Sequence, residues 1–187
     1  GRDIPYEPQY PPFRRIIKSH ARNDRYYTNV LLIVRNPLDV MSSYYMYTKN
    51  QMVFSGDFSS FIRHDRFGIN AWVDHTQSWL EQSGRHQNMQ VFHYEKLIEE
   101  PAVQLKRLFE IMGFTIRDTI IERAVEKSNF ENMRRIEAET MSYSTQRFKK
   151  FKFVTKDNLA ESDHHKQADI DYLFTAARPM MDKLGYK

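Results

Sequence analysis

Residues 29–45 read Asn-Val-Leu-Leu-Ile-Val-Arg-Asn-Pro-Leu-Asp-Val-Met-Ser-Ser-Tyr-Tyr. The first six, an asparagine followed by a continuous β-branched and leucine run, have the pattern of a strand buried on both faces of a parallel sheet. The run stops at Arg35, and helix signals follow without a gap. Asn36 is a good N-cap, Pro37 suits the first helical position, and Asp39 stands in the first turn, where the helix dipole favours an acid. A strand running straight into a capped helix is the repeating unit of α/β folds.

The pattern continues outward. Toward the C-terminus, residues 58–61 and 70–82 read as helices. In the second of these Val73, Thr76 and Leu80 lie at helical spacing, as do Trp72 and Trp79. Residues 89–94 read as a strand, followed by a turn and a helix over 101–112. Leu105, Leu108, Phe109 and Met112 give that helix an apolar stripe, and Gly113 is placed to end it. Residues 118–127 and 168–184 read as further helices, the last with Leu173, Ala176, Ala177, Met180 and Leu184 on one face and Gly185 at its end. Toward the N-terminus, residues 15–19 suit a short strand, and residues 1–12, rich in proline and tyrosine, read as an extended lead-in. The expectation is an α/β fold, a parallel sheet flanked by helices, forming a single domain over residues 1–187.

Composition narrows the function classes. There are no cysteines, so disulfides and thiolate metal sites are excluded and a reducing compartment is permitted. The longest aliphatic run, residues 30–34, is far too short to cross a bilayer, and the N-terminal residues do not have the pattern of a signal peptide. Of the net charge of +4, the segment 134–156 alone contributes +5, from seven basic and two acidic residues. Such a patch suits an anionic partner or, equally, a solvated loop. No nucleic-acid-binding motif accompanies it, so a nucleic-acid partner is not expected. His164 and His165 follow Asp163 in a polar stretch that has no further ligands at suitable spacing, which reads as a solvated loop rather than a metal site.

The strand–helix junction is the place where chemistry is expected. Ligands of open α/β sheets bind at the carboxyl ends of strands, and a helix N-terminus there offers N–H groups and a positive dipole end to an anion. Arg35 adds a planar fork suited to phosphate, and Ser43, two turns into the helix, has a hydroxyl to offer the same anion. Spacing alone leaves another reading open, in which Arg35 pairs with Asp39 and Ser43 turns to its own backbone.

The stretch Arg-Asn-Pro-x-Asp-x-x-x-Ser-Tyr-Tyr over residues 35–45 resembles the 3′-phosphate-binding motif of the cytosolic sulfotransferases that use PAPS (3′-phosphoadenosine 5′-phosphosulfate). Other stretches agree in the family's order. Arg15-Ile-Ile-Lys-Ser-His20 resembles the strand ending in Lys-Thr-His. Trp72-Val-Asp-His-Thr-Gln-Ser-Trp79 resembles the Trp-x-x-His-x-x-x-Trp helix. Tyr94-Glu-Lys-Leu-Ile-Glu-Glu-Pro101 resembles the strand end whose tyrosine contacts adenine, and Ser128-Asn-Phe-Glu-Asn-Met133 resembles a nucleotide-contacting Thr-Ser-Phe-x-x-Met segment. Residues 2–7, Arg-Asp-Ile-Pro-Tyr-Glu, resemble the segment just before the catalytic strand, so the likeness runs in register from about residue 2 to residue 133.

The resemblance implies sulfonate transfer from PAPS to a hydroxyl or amine of a small-molecule acceptor, without a metal. It assigns the general base to His20, a position near the sulfonate to Lys18, and the 3′-phosphate to Arg35 and Ser43. It assigns the nucleotide contacts to Tyr94, Ser128 and Phe130. It also implies a cytoplasmic protein with no membrane partner, and leaves the oligomeric state open.

The chain departs from the family's pattern in two places. The phosphosulfate loop of the Lys-x-Gly-Thr-Thr kind has no counterpart, since the six glycines are far apart, so the expected fold is P-loop-NTPase-like but lacks its first strand and loop. An N-terminally incomplete chain, without measurable transfer activity of its own, is the expectation. The C-terminal Arg-Lys-Gly loop is matched only by Phe148-Lys149-Lys150-Phe151, in which Lys149 and Lys150 would serve the 3′-phosphate as point charges. The alternative is a module that binds the nucleotide and catalyses nothing.

Overall fold

The computed structural model describes residues 18–21, 29–81, 88–142 and 165–186. The expected strand over 15–19 falls largely outside them, and Lys18, Ser19 and His20 carry no regular secondary structure. The described elements run β1 (Asn29–Val34), α1 (Pro37–Asn50), α2 (Phe58–Ile62), α3 (Ile69–Leu80), β2 (Asn88–His93), α4 (Tyr94–Glu99), α5 (Pro101–Ile111), α6 (Asp118–Lys127), α7 (Phe130–Ser142) and α8 (Gln167–Leu184). The two strands pair in parallel, with Asn29 opposite Asn88 and Val34 opposite His93. Parallel strands need a long crossover between them, and α1 to α3 supply it.

The start of α1 follows the sequence signals. The Asn36 side chain accepts from the Leu38 N–H at 2.9 Å, and Pro37 opens the helix without an N–H to satisfy. Two glycines end helices as expected. Gly113 and Gly185 both adopt positive φ, 81° and 78°, which costs a side-chain-bearing residue strain. Two differences from the sequence expectation concern helices. Tyr94 does not end β2 but opens α4, and α7 occupies part of the basic segment, which reads as a patch for an anionic partner or, equally, as a solvated loop.

Two buried clusters meet along α8. One joins Leu38, Met41 and Tyr45 of α1, Phe58, Phe61 and Ile62 of α2, and Leu173, Ala177 and Met181 of α8. The other joins Leu32 and Val34 of β1, Trp79 of α3, and Met180 and Leu184 of α8. The apolar face read for α8 is therefore the seam of the core. The expectation that β1 is buried on both faces is corrected. Helices α3 and α8 cover the Leu32 and Val34 face, while Leu31 and Ile33, which alternate to the other face, remain 40% and 54% exposed. Among the described residues, no helix is long and apolar enough to cross a membrane.

Candidate nucleotide site at the strand ends

Because Val34 stands opposite His93, the residues that follow, Arg35 and Tyr94, leave the sheet side by side at its carboxyl edge. The guanidinium carbon of Arg35 lies 4.6 Å from the centroid of the Tyr94 ring, a cation–π contact. One Arg35 terminal nitrogen stands 3.4 Å from an Asp39 carboxylate oxygen, the i,i+4 pairing that the spacing allowed. Both side chains are partly exposed, and pairs of this kind contribute only about 0–1 kcal/mol. The Arg35 Nε is buried and, among the described residues, has no hydrogen-bond partner. An unpaired buried donor costs about 1–3 kcal/mol, so the weak ion pair leaves the guanidinium with bonding capacity unspent. The positive end of α1 begins at the same edge.

The junction is held by a carboxylate. Glu95, the second residue of α4, accepts from the backbone N–H of Asn36 at 2.8 Å through Oε1. Its Oε2 accepts from the hydroxyl of Tyr186 at 3.1 Å. The Tyr186 ring meets the His93 ring at 4.9 Å in a T-shaped contact. Burial, then the charge of Glu95 and the hydrogen bond to it, push the Tyr186 phenol well above its ordinary range, so it stays a donor.

Ser43 is half-buried in the second turn of α1. It is the adjacent Ser42 that turns to its own backbone, donating to the Leu38 carbonyl at 2.7 Å. Ser42 Oγ also lies 3.1 Å from Nε2 of His165, whose ring packs on Phe58 at 4.3 Å. The reading of His165 as part of a solvated loop is corrected: it docks the start of α8 on α1 and α2.

Lys18 and His20 are exposed. The next residue is tied down, since the Ala21 carbonyl accepts from Trp79 Nε1 at 3.3 Å and the Ala21 N–H donates to Ser19 Oγ at 3.1 Å. Trp79 is buried as a core residue and also donates toward His75 Nε2 at 3.3 Å, within the helix. Ser128 closes α6, its hydroxyl donating to the Ala124 carbonyl at 2.8 Å, and Phe130 opens α7 with the Arg134 guanidinium 5.8 Å from its ring centroid. Lys149 and Lys150 lie outside the described residues. The structure thus joins Arg35 and Tyr94 directly.

Glu95, Tyr186 and His165 have no assigned role in the sequence reading. Local signals for the first two exist: an acid directly after a strand end, and an aromatic directly after a helix-terminating glycine. Neither signal names its partner.

A family model for the sulfotransferase domain matches residues 9–169. Human sulfotransferase 1C2 is 28% identical over 136 residues, which cover 66% of this chain and 45% of that protein. Bovine sulfotransferase 1A1 is 28% identical over 111 residues, covering 57% of this chain and 37% of its own. The chain thus spans less than half the length of these curated relatives. The crystal structure of mouse sulfotransferase SULT7A1 complexed with PAP superposes with a TM-score of 0.54 at 19% identity, covering 80% of this chain and 58% of that one, a likeness of fold. With residues 9–169, most of the chain, matched by the sulfotransferase domain, this α/β chain belongs to the sulfotransferase family.

Proposed function

We propose that this chain binds PAPS at the carboxyl edge of β1 and β2 and serves the transfer of its sulfonate group to a hydroxyl or amine of a small molecule. The observation that carries the reading is Arg35, stacked on Tyr94 at the strand ends with its Nε buried and unpaired among the described residues. A phosphate oxygen satisfies that donor, and a charge-assisted bond of about 1.5–3 kcal/mol outweighs the half-exposed pair with Asp39. The residues therefore fit a 3′-phosphate. In this reading Ser43 adds a hydroxyl to that phosphate, and Tyr94 and Phe130 hold the adenine, with Ser128 beside them. Lys149 and Lys150 add positive charge.

PAPS supplies an activated sulfonate whose sulfur passes in line from the bridging oxygen to the acceptor oxygen or nitrogen. His20 takes the proton that the acceptor loses, work suited to imidazole. Lys18 offsets the negative charge that grows on the bridging oxygen. As in phosphoryl transfer, positioning and charge stabilisation dominate the rate.

Calorimetry with adenosine 3′,5′-bisphosphate (PAP) and AMP tests the nucleotide site. Arg35→Ala weakens PAP by roughly tenfold to a hundredfold and leaves AMP, which lacks the 3′-phosphate, nearly unchanged. Equal losses for both nucleotides would remove Arg35 from the phosphate.

A further inference from the structure

The last turn of α8 points back to the nucleotide edge. Gly185 takes φ 78°, and the Tyr186 N–H closes on the Met181 carbonyl at 3.0 Å, so the chain reverses as the helix ends. The reversal sets the Tyr186 ring on His93, the last residue of β2, and its hydroxyl on Glu95. Glu95 in turn grips the peptide N–H of Asn36, between Arg35 and the first residue of α1. Both carboxylate oxygens are thereby engaged, one by backbone and one by the phenol.

A carboxylate beside a phosphate site is electrostatically unwelcome, because it repels the ligand that Arg35 attracts. We infer that Glu95 and Tyr186 are positioning residues: Glu95 fixes the Arg35–Asn36 peptide, and with it the guanidinium, while Tyr186 fixes Glu95 from the end of α8. The inference rests on the reading of Arg35 as the 3′-phosphate ligand. Its mechanism is geometric. A free Asn36 N–H would let the junction between β1 and α1 rotate, and an arginine held on a moving peptide loses alignment with the phosphate. The Tyr186 hydroxyl, kept protonated by burial and by the adjacent carboxylate, stays a donor over the physiological range.

Charge and geometry make opposite predictions, so the experiment decides. In the whole protein, PAP and AMP affinities are measured by calorimetry for Glu95→Ala, Glu95→Gln and Tyr186→Phe, each also in an Arg35→Ala background. Positioning predicts that Glu95→Ala weakens PAP by about fivefold to tenfold, although a negative charge has been removed. AMP is little affected. Glu95→Gln, whose amide oxygen still accepts from Asn36, stays within about twofold of the parent, and Tyr186→Phe loses about threefold. In the Arg35→Ala background all three effects vanish, because no guanidinium remains to align. Tighter PAP binding in Glu95→Ala would show that Glu95 acts only as a charge. Equal losses of PAP and AMP, or losses that persist without Arg35, would show a general structural role, and either outcome overturns the inference. Glu95→Gln and Tyr186→Phe alter few atoms, so the test stands if the alanine variant fails to fold. If Arg35→Ala by itself leaves the PAP-to-AMP ratio unchanged, the phosphate reading fails instead, and the two failures are told apart.

Discussion

The indole N–H of Trp79 donates to the carbonyl of Ala21 at 3.3 Å, which ties the residue after His20 to the buried core of α3. A general base must be held within hydrogen-bond reach of the proton it takes, and a displacement of about 1 Å can cost 10²-fold in rate. Trp79→Phe keeps an aromatic ring in the core but removes the donor. With His20 as the base, in a version of the protein that carries the phosphosulfate loop, it lowers kcat by about tenfold or more and leaves PAP affinity unchanged. Steady-state kinetics beside calorimetry reads this split, and an unaltered kcat would separate Trp79 from the placement of His20.

The start of α8 is fastened by an ion pair between a buried carboxylate and an exposed arginine. Asp169 is 3% exposed, accepts from Ser59 at 2.8 Å and pairs with Arg63 at 2.6 Å. Burial raises the Asp169 carboxyl, but the Ser59 and Arg63 bonds and the Arg63 charge outweigh it, and the net shift is downward. A depressed carboxyl stabilises the fold above its unfolded value of about 3.9, and the contribution is lost as pH falls through the lower folded value. Asp169→Asn therefore costs about 1.5–3 kcal/mol at neutral pH. Its deficit shrinks below about pH 4, where the parent loses the same contribution. Urea denaturation at several pH values follows the convergence, and a deficit constant down to acid pH would show that the carboxylate's charge is not what matters.

Ser42 and His165 form a second fastening of α8, 123 residues apart in sequence and 3.1 Å apart in the fold. The Ser42 hydroxyl donates to Leu38, so its lone pair is left to accept from Nε2 of His165. Ser42→Ala and His165→Ala should each destabilise by about 1 kcal/mol, with a coupling of about 0.5–1.5 kcal/mol in the double mutant. Additive losses in urea denaturation would mean that the two side chains act independently.

These relationships show where sequence reasoning reaches and where it stops. Several features set by local chemistry are legible: the strand over residues 29–34, the Asn36 cap, the glycine stops at 113 and 185, and the apolar face of α8. Arg35 was legible as a residue at a strand end, and its neighbour Tyr94 through family resemblance, but their contact depends on the register that sets Val34 against His93. Pairing register is a long-range property, and short apolar runs do not fix it. The same limit hid Glu95 and Tyr186, 91 residues apart, and turned His165 into a loop residue. Helix α7 was missed because its sequence is polar and its charges read as solvated chain. Its exposed Arg135–Glu139 pair, at i,i+4 spacing, is the kind of contact that supports such helices by only a few tenths of a kcal/mol.

His20 provides the most direct test of the proposed chemistry. It is exposed and lies one residue before the Ala21 carbonyl that Trp79 holds. As the general base it serves the acceptor and makes no contribution to the nucleotide phosphates. In a version of the protein that carries the phosphosulfate loop, His20→Ala should then lower turnover by about 10²–10⁴ while PAP affinity stays nearly constant. On this proposal the unmutated protein should lose rate on the acid side, because a protonated imidazole accepts no proton, and the residual rate of the variant should lack that limb. Lys18→Ala should also slow turnover, yet keep the limb, since its role is to offset charge rather than to accept a proton. Assays with PAPS and an accepted phenol or alcohol across a range of pH distinguish the two residues. A merely structural histidine would lower stability and nucleotide affinity together and leave the pH profile in place. Near-normal turnover in His20→Ala would end its assignment as the base and leave it an exposed residue beside a tethered carbonyl.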